Sequence, residues 1–252
     1  MTLSPSLLPE HVVLDDFAVE ATGLLVAELR AAVRARGLVS VALAGGGTPL
    51  GLYRGLAIMA GDVDWKRVHV FWGDERLVSP DDPGSNYREA FEALLSHVPI
   101  PPENIHRVRG ELPAGEAVAD YVAQLRDWAA VHDPRAPNPW PRFDIVLLGL
   151  GEDGHTASLF PGSPVDVAAP VIAVTADYQG RPAGRVTLTP RLLNDARRVI
   201  FLATGAKKTA AVRKTWTIDD PVRFPARRIR PANGRVTWWL DRAAAGDLTS
   251  PA

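Results

Sequence analysis

FDIVLLGLGEDGHTASLFPG, residues 143–162, begins as an apolar run and ends in glycines set beside two acids and a histidine. The apolar part is short and closed by glycine, so it reads as a buried strand running into a loop. The same figure recurs three times. LVSVALAGGG (38–47), VHVFWGDER (68–76) and RVIFLATGAKK (198–208) are each an apolar strand followed by a loop.

Helical patterns separate these strands. Residues 15–36 carry Phe17, Ala21, Leu24, Leu25 and Val33 at helical spacing, and Gly37 reads as the stop. Residues 48–57 read as a helix with Thr48 as its cap and Pro49 in its first turn. Further helices are expected over 86–98 and 114–132, and after Gly205 up to Trp216. Shorter β-like runs occupy 170–176 and 185–189, and a last strand 234–241. Segments 132–142 and 181–184 read as irregular loops. Strands alternating with helices predict an α/β fold, a mostly parallel sheet flanked by helices on both faces. With no repeat and no linker in view, residues 1–252 are expected to form a single domain. Ligands in such sheets bind beyond the carboxyl ends of the strands. The loops of interest are therefore AGGGTP, GDER, GLGEDGH and TGAKK.

Composition narrows the function. Apolar residues make up 46% of the 252-residue chain, enough for a sizeable core. The net charge of −1 gives no global argument for nucleic acid or a membrane surface, so an anionic ligand needs local cations. The chain has no cysteine, which excludes disulfides, thiolate catalysis and thiolate metal sites, and fits a reducing cytoplasm. No signal peptide is read at the N-terminus, and no apolar run reaches the roughly 18 residues of a membrane span.

Each motif has a functional and a bland reading. GLGEDG matches the dinucleotide fingerprint, but that fingerprint needs a helix directly after the glycines. Pro161, Pro164 and Pro170 leave little room for one. AGGGTP suits a phosphate better, since Gly45, Gly46, Gly47 and Thr48 would turn backbone amides and a helix start outward. A tight turn with no ligand is the alternative. Arg76 and Lys208 add local cations, and Lys208 sits at a helix start, where the dipole disfavours it. Arg185 opens a strand, where an arginine is ordinarily a surface charge. Among six histidines, His11, His97, His106 and His132 read as surface and His69 as structural. His155 differs, because it ends a strand two positions after Asp153. Imidazole takes protons near neutrality, and a carboxylate can fix its tautomer. The competing reading is a turn histidine that caps a short helix. No metal-binding or serine-nucleophile motif is present, although Asp74, Glu75, Asp153 and His155 could converge on an ion.

LAGGGTPLGLY, VFWGDERLVSPDDPGSNYREA, DIVLLGLGEDGHTASLFPGSP, RVTLTPRLLNDARRVIFLATGAKK and FPARRIRPANGRVTWWLD occur in this order. Together they resemble the glucosamine-6-phosphate isomerase/6-phosphogluconolactonase family over roughly residues 12–242. TASLFP after DGH is similar to the lactonase branch; the deaminase branch continues differently. One departure is visible, since Ala44 and Gly47 stand where the family often has serines. The resemblance implies a Rossmann-like sheet similar to the glucosamine-6-phosphate deaminase and ribose-5-phosphate isomerase folds. It implies hydrolysis of a sugar-phosphate lactone in the cytoplasm, with no metal or organic cofactor, no nucleic acid and no membrane partner. A monomer is compatible with it. It further implies His155 as the base that activates water and Asp153 as its orienter. Amides of residues 151–155 are candidates for the oxyanion. Arg76, Arg185, Lys208 and the Gly45–Thr48 loop would hold the phosphate. Asp74 would bind sugar hydroxyls or orient Arg76, while Ser85 and Asn86 would cap the next helix.

Overall fold

In the computed structural model, residues 9–134, 138–164 and 167–249 are described. Six parallel strands form the main sheet: β1 (His11–Leu14), β2 (Val39–Leu43), β3 (Val68–Trp72), β5 (Ile145–Gly149), β8 (Arg198–Ala203) and β9 (Arg235–Asp241). Their order is β1-β9-β8-β5-β2-β3. The remaining strands, β4 (Asp74–Arg76), β6 (Val171–Thr175) and β7 (Gly184–Leu188), make a small antiparallel sheet in the order β4-β7-β6. Helices α1 (Phe17–Arg36), α2 (Gly47–Ile58), α3 (Asn86–Ala93), α4 (Ala114–His132), α5 (Pro190–Leu193), α6 (Thr209–Thr217) and α7 (Arg242–Ala245) complete the chain. This is the mostly parallel, helix-flanked sheet that the strand pattern predicts, and it is Rossmann-like as the family resemblance implies.

Burial explains the strand composition. Every residue of β2 is buried, as are Ile145–Leu148 of β5. A strand covered on both faces tolerates no polar alternation, so both read as continuous apolar runs. Phe71, Trp72, Phe143, Phe201 and Trp239 fill the space around the sheet and are each at most 2% exposed. Two buried tyrosines fasten strand ends beside the later cleft. Tyr53 Oη donates to Ala44 O (2.7 Å) and accepts from Ala44 N (3.0 Å). Tyr121 Oη does the same at Trp72, at 2.8 and 3.0 Å. Each hydroxyl satisfies backbone groups that a strand neighbour would otherwise serve.

Local signals hold at α1. Asp16 Oδ1 accepts from Val19 N (3.3 Å), and Gly37, at φ 80°, ends the helix. Elsewhere the structure corrects the sequence reading. GDER is not a loop, because Asp74–Arg76 cross at Gly73 into the small sheet and pair with β7. The helix expected over 86–98 ends at Ala93, and Leu95–His97 form a separate 3-10 turn. Segment 181–184 is not irregular but returns a hairpin whose tip is closed by a Tyr178–Arg181 bridge. In the loop read over 132–142, residues 135–137 lie outside the described residues, while Trp140 is buried. His106 is not a simple surface residue; it is half-buried with His69, whose Nδ1 stands 3.2 Å from His106 Nε2. His132 is exposed as expected, though its ring lies 4.9 Å from that of His69. Among the described residues, no helix is long and apolar enough to cross a membrane.

Candidate active site

β2 is the point where the chain reverses direction across the sheet: β3 lies on one side of it and β5 on the other. Such a switch point opens a crevice at the carboxyl ends of the strands. A cleft of about 390 Å³ lies there, lined from the ends of β2, β5 and β8, from β4 and from the β6–β7 hairpin. Gly45, Gly46, Gly47, Thr48, Asp74, Arg76, His155, Arg185 and Lys208 all line it. Asp153 stands just behind, bonded to His155.

The glycines of GLGEDGH serve this histidine. Gly151 N donates to His155 O (2.8 Å) and Gly154 N to Gly151 O (3.0 Å), which closes a tight turn. A Cβ on Gly151 would lie 2.0 Å from His155 Nδ1 and 2.5 Å from Asp153 Oδ1. Residues 152–164 continue in turns and bridges rather than a helix, so the dinucleotide geometry is absent from this loop. No helix follows for His155 to cap. His155 Nδ1 lies 2.6 Å from Asp153 Oδ1, and His155 N donates to the same oxygen at 3.1 Å. An ionised carboxylate only accepts, so Nδ1 carries the proton and Nε2 is left as the acceptor. Burial acts to raise Asp153, but the His155 hydrogen bond and charge outweigh it and hold the carboxyl below its ordinary value. Phe160 and Tyr178 flank the imidazole with ring centroids at 4.5 and 4.6 Å. Its side chain is 14% exposed. Ala157 beside it adopts φ 48°, a left-handed conformation that strains any residue with a Cβ.

The cations take up a second part of the cleft. Arg76 and Arg185 face each other across β4 and β7. Both are buried, at 5% and 2% exposure. Like charges placed directly opposite repel. Arg76 Nη1 donates to Gly84 O (2.7 Å), and the Arg185 guanidinium lies 5.3 Å from the centre of the Phe160 ring. Among the described residues, Arg76 Nε, Arg185 Nε and Arg185 Nη2 have no hydrogen-bond partner. Burial lowers Arg185, as does the neighbouring positive charge of Arg76, against the pull of Asp74. Lys208 is half-buried at the start of α6; burial lowers its pKa, and Glu152 and Asp153 counter this. Two guanidiniums and an ammonium lining one cleft make an arrangement that suits an anion.

The glycine loop differs in detail from expectation. Gly46, at φ 100°, is the N-cap of α2, and Thr48 is not a cap. Thr48 Oγ1 instead bonds Thr204 Oγ1 at 2.7 Å. Gly46 N already donates to Glu89 Oε2 (3.3 Å). Asp74 Oδ2 accepts from Ser158 Oγ (2.6 Å), so one of its oxygens is spent within the protein. Ser85 caps α3 as expected, its Oγ accepting from Arg88 N. Asn86 does not cap; its Nδ2 donates to Asp74 O (2.8 Å). Glu75 cannot join Asp74 and His155 around an ion, since its carboxylate is filled by backbone amides of Arg76, Asn86 and Tyr87. Burial still pushes Glu75 up to about 7 against those three amides. Sequence reasoning passed over Ser158, Thr204, Tyr178 and Arg181. Ser158 lay within the quoted loop, whereas nothing around Tyr178 signals that its hairpin folds over the cleft.

A Rossmann-like sheet, with an Asp-bound histidine and paired arginines in one cleft at its switch point, brings a titratable base and cations together as an enzyme site does. Residues 14–238 match the family described as glucosamine-6-phosphate isomerases/6-phosphogluconolactonase, and the chain belongs to that family. It is 42% identical over 220 residues to a Synechocystis protein named 6-phosphogluconolactonase, covering 86% of this chain and 88% of the relative. A Nostoc protein of the same name is 38% identical over 252 residues, covering 99% and 100%. The solved 6-phosphogluconolactonase of Thermotoga maritima superposes with a TM-score of 0.81 at 30% identity, covering 92% of this chain and 99% of that one. A monomeric glucosamine-6-phosphate deaminase shares the fold, at TM-score 0.78 and 21% identity.

Proposed function

We propose that this chain hydrolyses 6-phospho-D-glucono-1,5-lactone to 6-phospho-D-gluconate, the second step of the oxidative pentose phosphate pathway, with His155 as the base that activates water. The observation that carries this reading is the shared cleft, in which the Asp153-bound imidazole lies with two buried arginines and Lys208. The names of the relatives agree with it.

A lactone is an activated ester, so one base and a suitable field suffice. Nε2 takes a proton as water oxygen bonds to C1 and the carbonyl becomes an oxyanion. The C1–ring-oxygen bond then breaks, and Nε2–H returns the proton to the departing oxygen. Asp153 holds the tautomer and stabilises the imidazolium between these steps. Catalysis of this kind contributes about 10²- to 10⁴-fold. The oxyanion does not fall to all the amides of 151–155, because Gly151, Gly154 and His155 N–H groups are already bonded within the loop. Arg76, Arg185, Lys208 and the Gly45–Thr48 loop hold the 6-phosphate. Fixing that remote group turns C1 toward His155 and removes part of the entropic barrier. Asp74 lines the cleft and offers a sugar hydroxyl the remaining capacity of Oδ1, which accepts only a long bond from Asn86 Nδ2 (3.4 Å), its other oxygen being bonded by Ser158.

The test is direct. The lactone is generated in situ from glucose 6-phosphate by its dehydrogenase, with chelator present, and 6-phosphogluconate formation is followed with and without the protein. Acceleration over spontaneous hydrolysis is expected. A rate equal to the spontaneous one, or ammonia release from glucosamine 6-phosphate in its place, would overturn the reading.

A further inference from the structure

Strand β4 alternates. Asp74 and Arg76 line the cleft, and Glu75 between them does not. The Glu75 carboxylate is only 2% exposed, yet it accepts four hydrogen bonds. Oε1 receives Arg76 N and Asn86 N, both at 2.7 Å. Oε2 receives Tyr87 N at 2.7 Å and Ser85 Oγ at 3.1 Å. Asn86 N and Tyr87 N are the first two amides of α3, the groups a helix leaves unsatisfied. Glu75 therefore fills the N-terminus of α3 from the neighbouring strand.

Helix α3 in turn reaches the glycine loop twice. The Asn86 side chain is 1% exposed, and its Oδ1 lies 1.8 Å from the place a Gly45 Cβ would take. One turn later, Glu89 Oε2 accepts from Gly46 N at 3.3 Å. A continuous path thus runs from Arg76 through Glu75 and α3 to Gly45 and Gly46. Its two ends are the two sides of the proposed phosphate cradle.

The geometry points to Glu75 as a positioning residue that sets the spacing between Arg76 and the Gly45–Thr48 loop, and with it the affinity for the phosphate end of the substrate. Glu75 itself touches no substrate. This role rests on the cradle assigned under Proposed function. Above its raised pKa of about 7 the ionised carboxylate satisfies all four donors; an amide in its place turns an NH2 toward donors and releases either the Arg76–Asn86 side or the Tyr87–Ser85 side. Outer residues that orient binding groups are commonly worth about tenfold or more.

Calorimetry with inorganic phosphate and with 6-phosphogluconate, on wild type and Glu75→Gln, reads the cradle without catalysis. Turnover of the phosphorylated lactone and of unphosphorylated glucono-1,5-lactone supplies the contrast. Glu75→Gln is expected to weaken both phosphate ligands about tenfold. It is expected to lower kcat/KM on the phosphorylated lactone by the same factor through KM, with the unphosphorylated lactone unaffected. Should that variant fail to fold, Glu89→Gln keeps Glu75 and loosens only the link to Gly46; a smaller loss, about threefold, is then expected on the phosphorylated ligands alone. Equal losses on both lactones, or unchanged phosphate affinity in a folded variant, overturn the proposal. Wild type that binds no inorganic phosphate overturns it as well. Wild type that binds phosphate but hydrolyses neither lactone overturns the reaction and leaves the positioning role intact.

Discussion

The chemistry proposed for His155 depends on a neighbour with no side chain. Gly151→Ala puts a methyl where His155 Nδ1 and Asp153 Oδ1 now stand, so the pair must part. Turnover is expected to fall at least about 100-fold while the fold persists; near-wild-type kcat would show that the dyad tolerates displacement and is not the working unit. Asp153→Asn removes the fixed acceptor for Nδ1–H and is expected to lower kcat, with KM nearly unchanged. Arg185→Ala acts at the other end of the substrate. Its expected signature is a KM about 10- to 100-fold higher; a KM within twofold of wild type would remove Arg185 from the phosphate site. His155 and Asp153 were legible because DGH is contiguous, and Arg76 and Lys208 because each follows an apolar strand; Arg185, opening a strand, read as an ordinary surface charge until the family resemblance singled it out. Glu75, Asn86 and Ser158 were not, since each acquires its role from a partner distant in sequence, as Ser158 does from Asp74, 84 positions away.

Elements were read best where burial dictates them. β2 and β5 are apolar throughout because both faces are covered, and that pattern survives in the sequence. β4 is three polar residues, and no periodicity marks it; only pairing with β7 makes it a strand. Thr48 misled for a related reason. It has the composition of a cap, but Gly46 at φ 100° makes the turn and Thr48 is drawn to Thr204 instead. Helix α3 is where an element-scale test belongs. Ser85 Oγ accepts from Arg88 N and donates to Glu75, so Ser85→Ala is expected to cost about 1–2 kcal/mol of stability. Chemical denaturation reads this as a lower midpoint at unchanged slope. An unshifted midpoint would mean that α3 is held by packing alone.

Over the whole molecule, the alternation of strand and helix was enough to place the cleft, because strand ends in a parallel sheet meet at the switch point. The histidine cluster was not legible, since His69, His106 and His132 meet only after α4 packs on β3. Burial lowers His69 and His106 to about 4, with His132 adding its charge against both. The unfolded chain, with ordinary imidazoles near 6.5, therefore binds protons first as pH falls. Stability is full above about 6.5 and is lost progressively toward pH 4, by about 1–2 kcal/mol once screening at these half-buried sites is allowed for. Melting temperature across that range checks it; His106→Phe should flatten the slope, and an unchanged slope would acquit the cluster. The proposed activity has a separate origin, in the cleft at the carboxyl ends of the strands. The most direct test of that origin is steady-state turnover of enzymatically generated 6-phosphogluconolactone by wild type and His155→Ala. The expected result is kcat lower by about 10²- to 10⁴-fold with KM held within a few-fold. Wild-type turnover by His155→Ala would contradict the role of His155 as the base.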